Sequence, residues 1–395
     1  MSQVLIVAAE ASSALFATRL LEHWKASNRN IRSFGVGNQD MENLGFERLG
    51  KSEEMAVVGA AEIIEHYGKL KAVFNSLVEQ AILRKPDVAI VMDYPEFNLM
   101  LAKKLHALGI SVVYYVSPQV WAWRKGRVET IKKYCTQVFV LFPFEVAFYK
   151  EKQVACEFVG HPVLDEMDEK FFSPEYFKLH RQRYGIQDDE FVIGLMPGSR
   201  QGELKQHLGI QIEVARRLYK KYPKIRVLMM CAPTVAKEQL QELMGDVRFP
   251  YMLLKEEPLE MIHLADAILV ASGTATLMVG LLEKPMVIMY KMKWLTGIFA
   301  KLFIRGIQFF GLINLILNRE AVPERWQGGA NPDELFRLMS RYIEEPSYRD
   351  SVILDLKKIR PFLGEKGATR RVAQALEVYF QKNPKAKLES SENSR

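Results

Sequence analysis

Short aliphatic and β-branched runs recur along the chain, separated by stretches in which apolar positions return every three or four residues. The runs Val4–Ala8, Ile31–Val36, Asp87–Met92, Ser111–Val116, Gln137–Leu141 and Glu157–Gly160 predict strands. Between them Ser13–Lys25, Glu62–Leu83 and Phe97–Leu108 carry helical spacing. This rhythm predicts an α/β domain, a parallel sheet wrapped on both faces by helices.

The rhythm stops at DEMDEKFFSPEYFK (Asp165–Lys178), a charged, proline-containing stretch that reads as a domain connection. It restarts with Phe191–Pro197, Ile225–Cys231, Tyr251–Leu254, Ala267–Ser272 and Met286–Lys291. Two doubly wound domains follow, expected over residues 1–165 and 172–345, with a ligand cleft between the C-terminal strand edges of the two sheets. Beyond Asn331 the pattern is helical only: Pro332–Ile343, Tyr348–Ile359 and Ala368–Lys382. The helices of about residues 348–382 are expected to pack back on the first domain or on a partner in a homodimer, and the polar residues 383–395 to be disordered.

Composition narrows the class. Of 395 residues, 49% are hydrophobic and 26% charged, which fits a globular protein with a large core. The net charge of +7 suits a phosphorylated substrate or an anionic membrane face. No dense Lys/Arg tract with interleaved aromatics points to nucleic acid. The cysteines Cys135, Cys156 and Cys231 lack CxxC pairing, which argues for a reducing compartment and against a disulfide framework or zinc site. MSQVLIVAAEASS reads as mature structure rather than a signal peptide. No cofactor is expected.

Certain turns carry candidate chemistry. In VMDYPEFN, Asp93 is delivered at a strand end and Pro95 forces the chain to turn. Asp93 is either a helix cap or a general base toward a hydroxyl. In LMPGSRQGELKQ, Gly198 permits close approach, Ser199 or the next amides can face an anion at the helix start, and Arg200 suits phosphate oxygens. ASGTATLMVG repeats this logic with Ser272, Gly273, Thr274 and Thr276. Two such turns in one domain suggest a diphosphate, as in a nucleotide; the plainer readings are ordinary βα turns and helix caps. Neither turn is a P-loop. SPQVWAWRKGR places Trp121 and Trp123 after a strand, either packed below the cleft or, for Trp123, stacked on a sugar. His161 reads as a local hydrogen-bonding residue. No HExxH or Cys/His cluster suggests a metal, and no GxSxG elbow suggests a serine hydrolase.

Residues 291–317 read KMKWLTGIFAKLFIRGIQFFGLINLIL. A membrane span is disfavoured, because charges interrupt the apolar run. In a helix over Trp294–Arg305, Leu295, Ile298, Phe299, Leu302 and Phe303 share a face, with Lys301 and Arg305 at its edge. Phe309 and Phe310 extend the patch. A core helix remains one reading; the other is a surface resting on lipid.

The stretches KPDVAIVMDYPEFN, YYVSPQVWAWRKGR, LFPFEVAFY, FVGHPV, LMPGSR, ASGTATL and NLILNREAVPE resemble the lipid-A-disaccharide synthases, from about Val4 to Phe380. The resemblance implies a GT-B fold of two Rossmann-like domains and an inverting glycosyltransferase without a metal. It implies transfer of diacylglucosamine from UDP-2,3-diacylglucosamine to 2,3-diacylglucosamine 1-phosphate, giving a β-1,6-linked disaccharide and UDP. It also implies work on the inner-membrane lipid surface, as a peripheral protein on its cytoplasmic face. Asp93 matches the family's base for the acceptor hydroxyl, and Arg200 matches the arginine of its PGSR turn. Glu10 and Ser12 match its first turn, implying a catalytic role for Glu10 and substrate contact for Ser12, and Asn314 and Arg319 fall in its active-site stretch as substrate-binding residues. The family's GExSGD is AEASSA here, GTAxLE is GTATLM, and GVGGPxM is GVGNQDM. Met278 cannot accept the ribose hydrogen bonds that the family's acid would. These departures keep open a catalytically weak lipid- or nucleotide-binding paralogue, and the shared fold keeps open an enzyme on UDP-GlcNAc such as an epimerase.

Overall fold

The computed structural model describes residues 1–55, 60–118, 120, 126–291 and 309–380, and side chains throughout these except at 60–67. The chain divides into two compact units, Met1–Glu166 joined by the chain from Leu363 onward, and Met167–Phe362.

The first unit holds β1 (Ser2–Ala8), β2 (Ile31–Gly37), β3 (Glu47–Lys51), β4 (Val88–Met92), β5 (Ser111–Tyr115), β6 (Gln137–Val140) and β7 (Cys156–Phe158). They form a seven-stranded sheet in the order β3-β2-β1-β4-β5-β6-β7, with every pairing parallel. Val4–Ala8 and Val88–Met92 are wholly buried, because helices cover both faces of a parallel sheet. Each such Val, Leu or Ile contributes roughly 1.5–3 kcal/mol by leaving water.

The second unit holds β8 (Phe191–Met196), β9 (Ile225–Met230), β10 (Tyr251–Leu254), β11 (Ala267–Ala271), β12 (Met286–Tyr290) and β13 (Glu324–Trp326). Their order is β10-β9-β8-β11-β12-β13, again parallel throughout. The strands β3 (ERLGK) and β13 (ERW) were not expected from the pattern. Both lie at sheet edges, where charged side chains reach water and the aliphatic signature is lost.

The last described helix, Ala368–Phe380, returns to its own first unit. Val372 and Leu376 are buried, Trp24 meets Phe380 edge to face at 5.9 Å, and Arg29 pairs with Glu377 at 3.0 Å. The Asp165 carboxylate accepts from the backbone N–H of Gly367 (2.5 Å) and Thr369 (3.1 Å), satisfying donors that a helix start leaves open. The helix Pro346–Leu356, expected to return with it, belongs to the second unit instead and follows Pro332–Glu344 there. The chain crosses back only after Phe362. Residues 383–395, expected to be disordered, lie outside the described residues.

Candidate functional site

Strand order in the first sheet reverses between β1 and β4, which pair with Ala8 opposite Met92. Doubly wound sheets bind ligands outside the strand ends at such a reversal. Glu10, Ser12 and Asp93 all follow these two ends. Glu10 is half-buried and starts the helix Ala11–Ala26. The Ser13 hydroxyl accepts from the Glu10 N–H (3.1 Å) and donates to the Glu10 carbonyl (2.9 Å). Ser13, where the family pattern has glycine, thus ties the turn to itself. Ser12 is half-buried in the first helical turn.

Asp93 is half-buried, with φ +49°, and Tyr94 follows at φ +42°. Val116, at the end of the neighbouring β5, has φ +59°. Left-handed backbone costs a non-glycine residue about 1 kcal/mol or more, so this strain persists only where surroundings impose it. The Asp93 N–H donates to the Val116 carbonyl at 3.2 Å. The buried Asn98 amide donates to the carbonyls of Met92 (3.0 Å) and Asp93 (2.7 Å), and the Tyr114 hydroxyl donates to the Asp93 carbonyl at 2.6 Å. Burial and then the charge of Asp93 push the Tyr114 hydroxyl far above the ordinary tyrosine range, so it remains a donor. Pro95 opens the helix Pro95–Ala107, and Glu96 in its first turn pairs with Arg127. Asn98 and Tyr114 were not singled out in the sequence; an Asn one turn after a strand-ending Asp was the available signal for the first.

In the second sheet the order reverses between β8 and β11, which pair with Met196 opposite Val270. Gly198, Ser199 and Arg200 follow β8; Ser272, Gly273, Thr274 and Thr276 follow β11. Gly198 has φ +123°, and a Cβ there would lie 2.6 Å from both Cβ and Oε2 of Glu203, so only glycine fits. The helix Gln201–Lys221 turns a polar stripe toward this turn: Glu203, His207 and Gln211 stand four residues apart on one face. Glu203 Oε2 accepts from the Ser199 N–H (2.9 Å), and Oε1 pairs with Arg200 Nη1 (3.3 Å). His207 Nε2 accepts from the Lys291 N–H (3.0 Å), which puts the ring proton on Nδ1, 3.0 Å from the Pro197 carbonyl. Burial lowers the pKa of His207 and keeps it neutral. Gln211 donates to the Met196 carbonyl at 3.2 Å. The Thr234 hydroxyl donates to the Ser199 carbonyl at 2.9 Å. The stripe was missed because it hides among apolar helix positions; its spacing was the signal.

Several expected residues serve the chain instead. The Ser199 N–H, expected to face an anion, is taken by Glu203. Thr276 is fully buried, and its hydroxyl donates to the Gly273 carbonyl at 2.8 Å. Ser272, Thr274 and Met278 are half-buried and Gly273 is exposed. Glu283 is no substitute for the family's acid; it pairs with Lys357 at 3.7 Å. Asn314 is wholly buried and spent within the chain. Its amide donates to the Val322 carbonyl (2.9 Å) and Glu324 (3.0 Å), while its oxygen accepts from the N–H of Ala321 (2.8 Å) and Val322 (3.0 Å). Arg319 pairs with Asp355. Glu324 also accepts from the N–H of Phe310 (2.8 Å) and Gly311 (2.9 Å). Phe309, expected on a lipid-facing surface, is buried, and Phe310 packs on Trp326 at 5.3 Å. The unexpected strand β13 supplies Glu324 and Trp326, the two residues that engage Phe310. Trp123, Trp294, Phe299, Lys301, Phe303 and Arg305 lie outside the described residues.

Among the described residues no group of three or more His, Cys, Asp or Glu side chains could hold a metal ion. Among them, too, no helix is long and apolar enough to cross a membrane.

A family model described as lipid-A-disaccharide synthetase matches residues 4–375. The lipid-A-disaccharide synthase of Myxococcus xanthus (strain DK1622) is 36% identical over 374 residues, covering 95% of this chain and 96% of that protein. That of Geobacter sulfurreducens is 34% identical over 371 residues, covering 94% and 95%. Among solved structures, UDP-GlcNAc 2-epimerase from Neisseria meningitidis bound to UDP-GlcNAc has a TM-score of 0.64 at 14% identity, covering 95% of this chain and 99% of that one. Anabaena HepE in complex with UDP has a TM-score of 0.56 at 12% identity, covering 96% and 100%. At such identities these two structures speak for the fold alone.

Proposed function

The chain belongs to the lipid-A-disaccharide synthase family of glycosyltransferases, and from that premise we propose how its residues divide the work. The protein acts on a nucleotide sugar and a lipid acceptor to form the lipid A disaccharide. The donor is UDP-2,3-diacylglucosamine and the acceptor 2,3-diacylglucosamine 1-phosphate. Asp93 takes the proton of the acceptor 6-hydroxyl. The resulting oxygen nucleophile forms a bond to C1 of the donor sugar as the bond from C1 to UDP breaks, with inversion at C1. The bonding pair leaves on the UDP phosphate, and the proton rests on Asp93. Arg200 and the open amides at the start of the helix Gln201–Lys221 offset the charge that develops on the phosphate. Glu10 and Ser12 hold sugar groups beside Asp93.

The observation that carries this reading is the placement of both clusters at strand ends where the sheet order reverses. A carboxylate stands at one reversal and an arginine beside a glycine turn at the other. Both are places where doubly wound sheets bind ligands. The apolar, basic-edged sequence of Trp294–Arg305 and the diacylated substrates support a peripheral site of action on the inner face of the inner membrane.

Incubation with both diacylated substrates in detergent, followed by separation of lipid product and UDP, tests the assignment. The wild type gives disaccharide and UDP in equal amounts, and Asp93→Ala lowers turnover by about 10²–10⁴, the usual worth of a general base. Undiminished turnover in Asp93→Ala would reject the base assignment, and no product from the wild type would leave the weak-paralogue reading standing.

A further inference from the structure

We infer that Glu203 is a positioning residue for Arg200, acting on substrate only through that guanidinium; the inference rests on the assignment of Arg200 to the departing diphosphate. One carboxylate meets both sides of the turn. Its Oε2 takes the Ser199 N–H at 2.9 Å, and its Oε1 pairs with Arg200 Nη1 at 3.3 Å. The same carboxylate packs directly on Gly198, where a Cβ would lie 2.6 Å from Oε2. Its side chain is 14% exposed against 31% for Arg200, so the fixed end of the pair is inside and the guanidinium is nearer water.

A long arginine has many rotamers, and most of them point away from a phosphate held at the neighbouring helix start. A shielded carboxylate that is itself pinned by a backbone N–H removes many of them before the ligand arrives. Preorganisation of this kind raises affinity by lowering the cost of ordering on binding. Glu203 is an odd neighbour for a diphosphate unless it is neutralised, and its pairing with Arg200 supplies that neutralisation. Tyr290 completes the surroundings: its hydroxyl is pushed above the ordinary tyrosine range by burial and then by the charge of Glu203, so it stays uncharged.

A double-mutant cycle on the full-length protein tests this, with UDP affinity by calorimetry, kcat and KM for the donor, and melting temperature as a check on folding. Glu203→Ala raises the UDP Kd about tenfold in the wild-type background and less than twofold in Arg200→Ala, the pattern of one residue acting through another. Glu203→Gln, which keeps the shape and an acceptor for the Ser199 N–H but drops the charge, melts near the wild type and still weakens UDP. Equal losses with and without Arg200 would reduce Glu203 to a structural residue and overturn the inference. Tighter UDP binding in Glu203→Gln would overturn it too, because the carboxylate would then be a competitor for the phosphate. If Arg200→Ala alone leaves UDP affinity unchanged, the assignment of Arg200 fails first and the inference falls with it, a result distinct from an additive cycle.

Discussion

The turn that carries Asp93 is held by strained backbone and a buried asparagine, whereas the turn that carries Arg200 is held by a polar stripe on the following helix. In the first, left-handed φ at Asp93, Tyr94 and Val116 places the backbone, and Asn98 and Tyr114 take its carbonyls. In the second, only Gly198 leaves the ordinary region, and Glu203, His207 and Gln211 hold backbone groups of Ser199, Pro197 and Met196. The difference suits the role we propose for each turn. A base must place its oxygens to within a fraction of an ångström of one proton, so rigid main chain is the better support. An anion grip needs charge balanced around an arginine, so side chains with charge and dipoles surround it.

Breaking the two turns separately should therefore give opposite phenotypes. The largest effect is expected from Asn98→Ala, which takes the buried side-chain donor from the Met92 carbonyl and leaves the Asp93 carbonyl to Tyr114. It should lower stability by about 1–3 kcal/mol and reduce kcat far more than UDP affinity, read from urea midpoints and steady-state rates. Next comes Gly198→Ala. The added carbon cannot fit beside Glu203, so the turn must shift, and UDP affinity should fall about tenfold with a smaller change in the chemical step. A result in which both variants lose UDP binding equally would erase the distinction.

The effect with the least bearing on the chemical step is shared by both units and appears only in acid. His161 in the first unit is buried, its Nδ1 accepts from the Val163 N–H at 3.2 Å, and burial lowers its pKa to about 3. His207 in the second is lowered by the same cause. The unfolded chain binds a proton at each near pH 6.5 while the folded chain refuses it, so their stability is fully present above that pH. As the pH falls below it, His161 should cost about 1.4 kcal/mol for each pH unit down to about pH 3, and His207 adds a loss of the same sign. Urea midpoints at pH 7, 6 and 5 check the slope; His161→Gln should make it shallower.

Much of this was legible in the sequence, for identifiable reasons. Strands buried on both faces read as unbroken aliphatic runs, and each candidate turn was found because it follows one. Edge strands β3 and β13 escaped, since their outward side chains are charged. The missing β13 then misled the reading of Phe310 and Asn314, which Glu324 and Trp326 engage. A sequence names a polar residue but not whether its hydrogen bonds are already spent. Asp93 and Arg200 kept their candidacy, while Thr276 and Asn314 proved to be internal clamps.

Base and phosphate grip are proposed to lie on separate turns, and UDP titration into the full-length protein tests that division most directly. Wild type and Asp93→Asn should bind UDP with the same affinity, while Arg200→Ala binds it at least tenfold more weakly. Loss of UDP binding in Asp93→Asn with full binding in Arg200→Ala would contradict it.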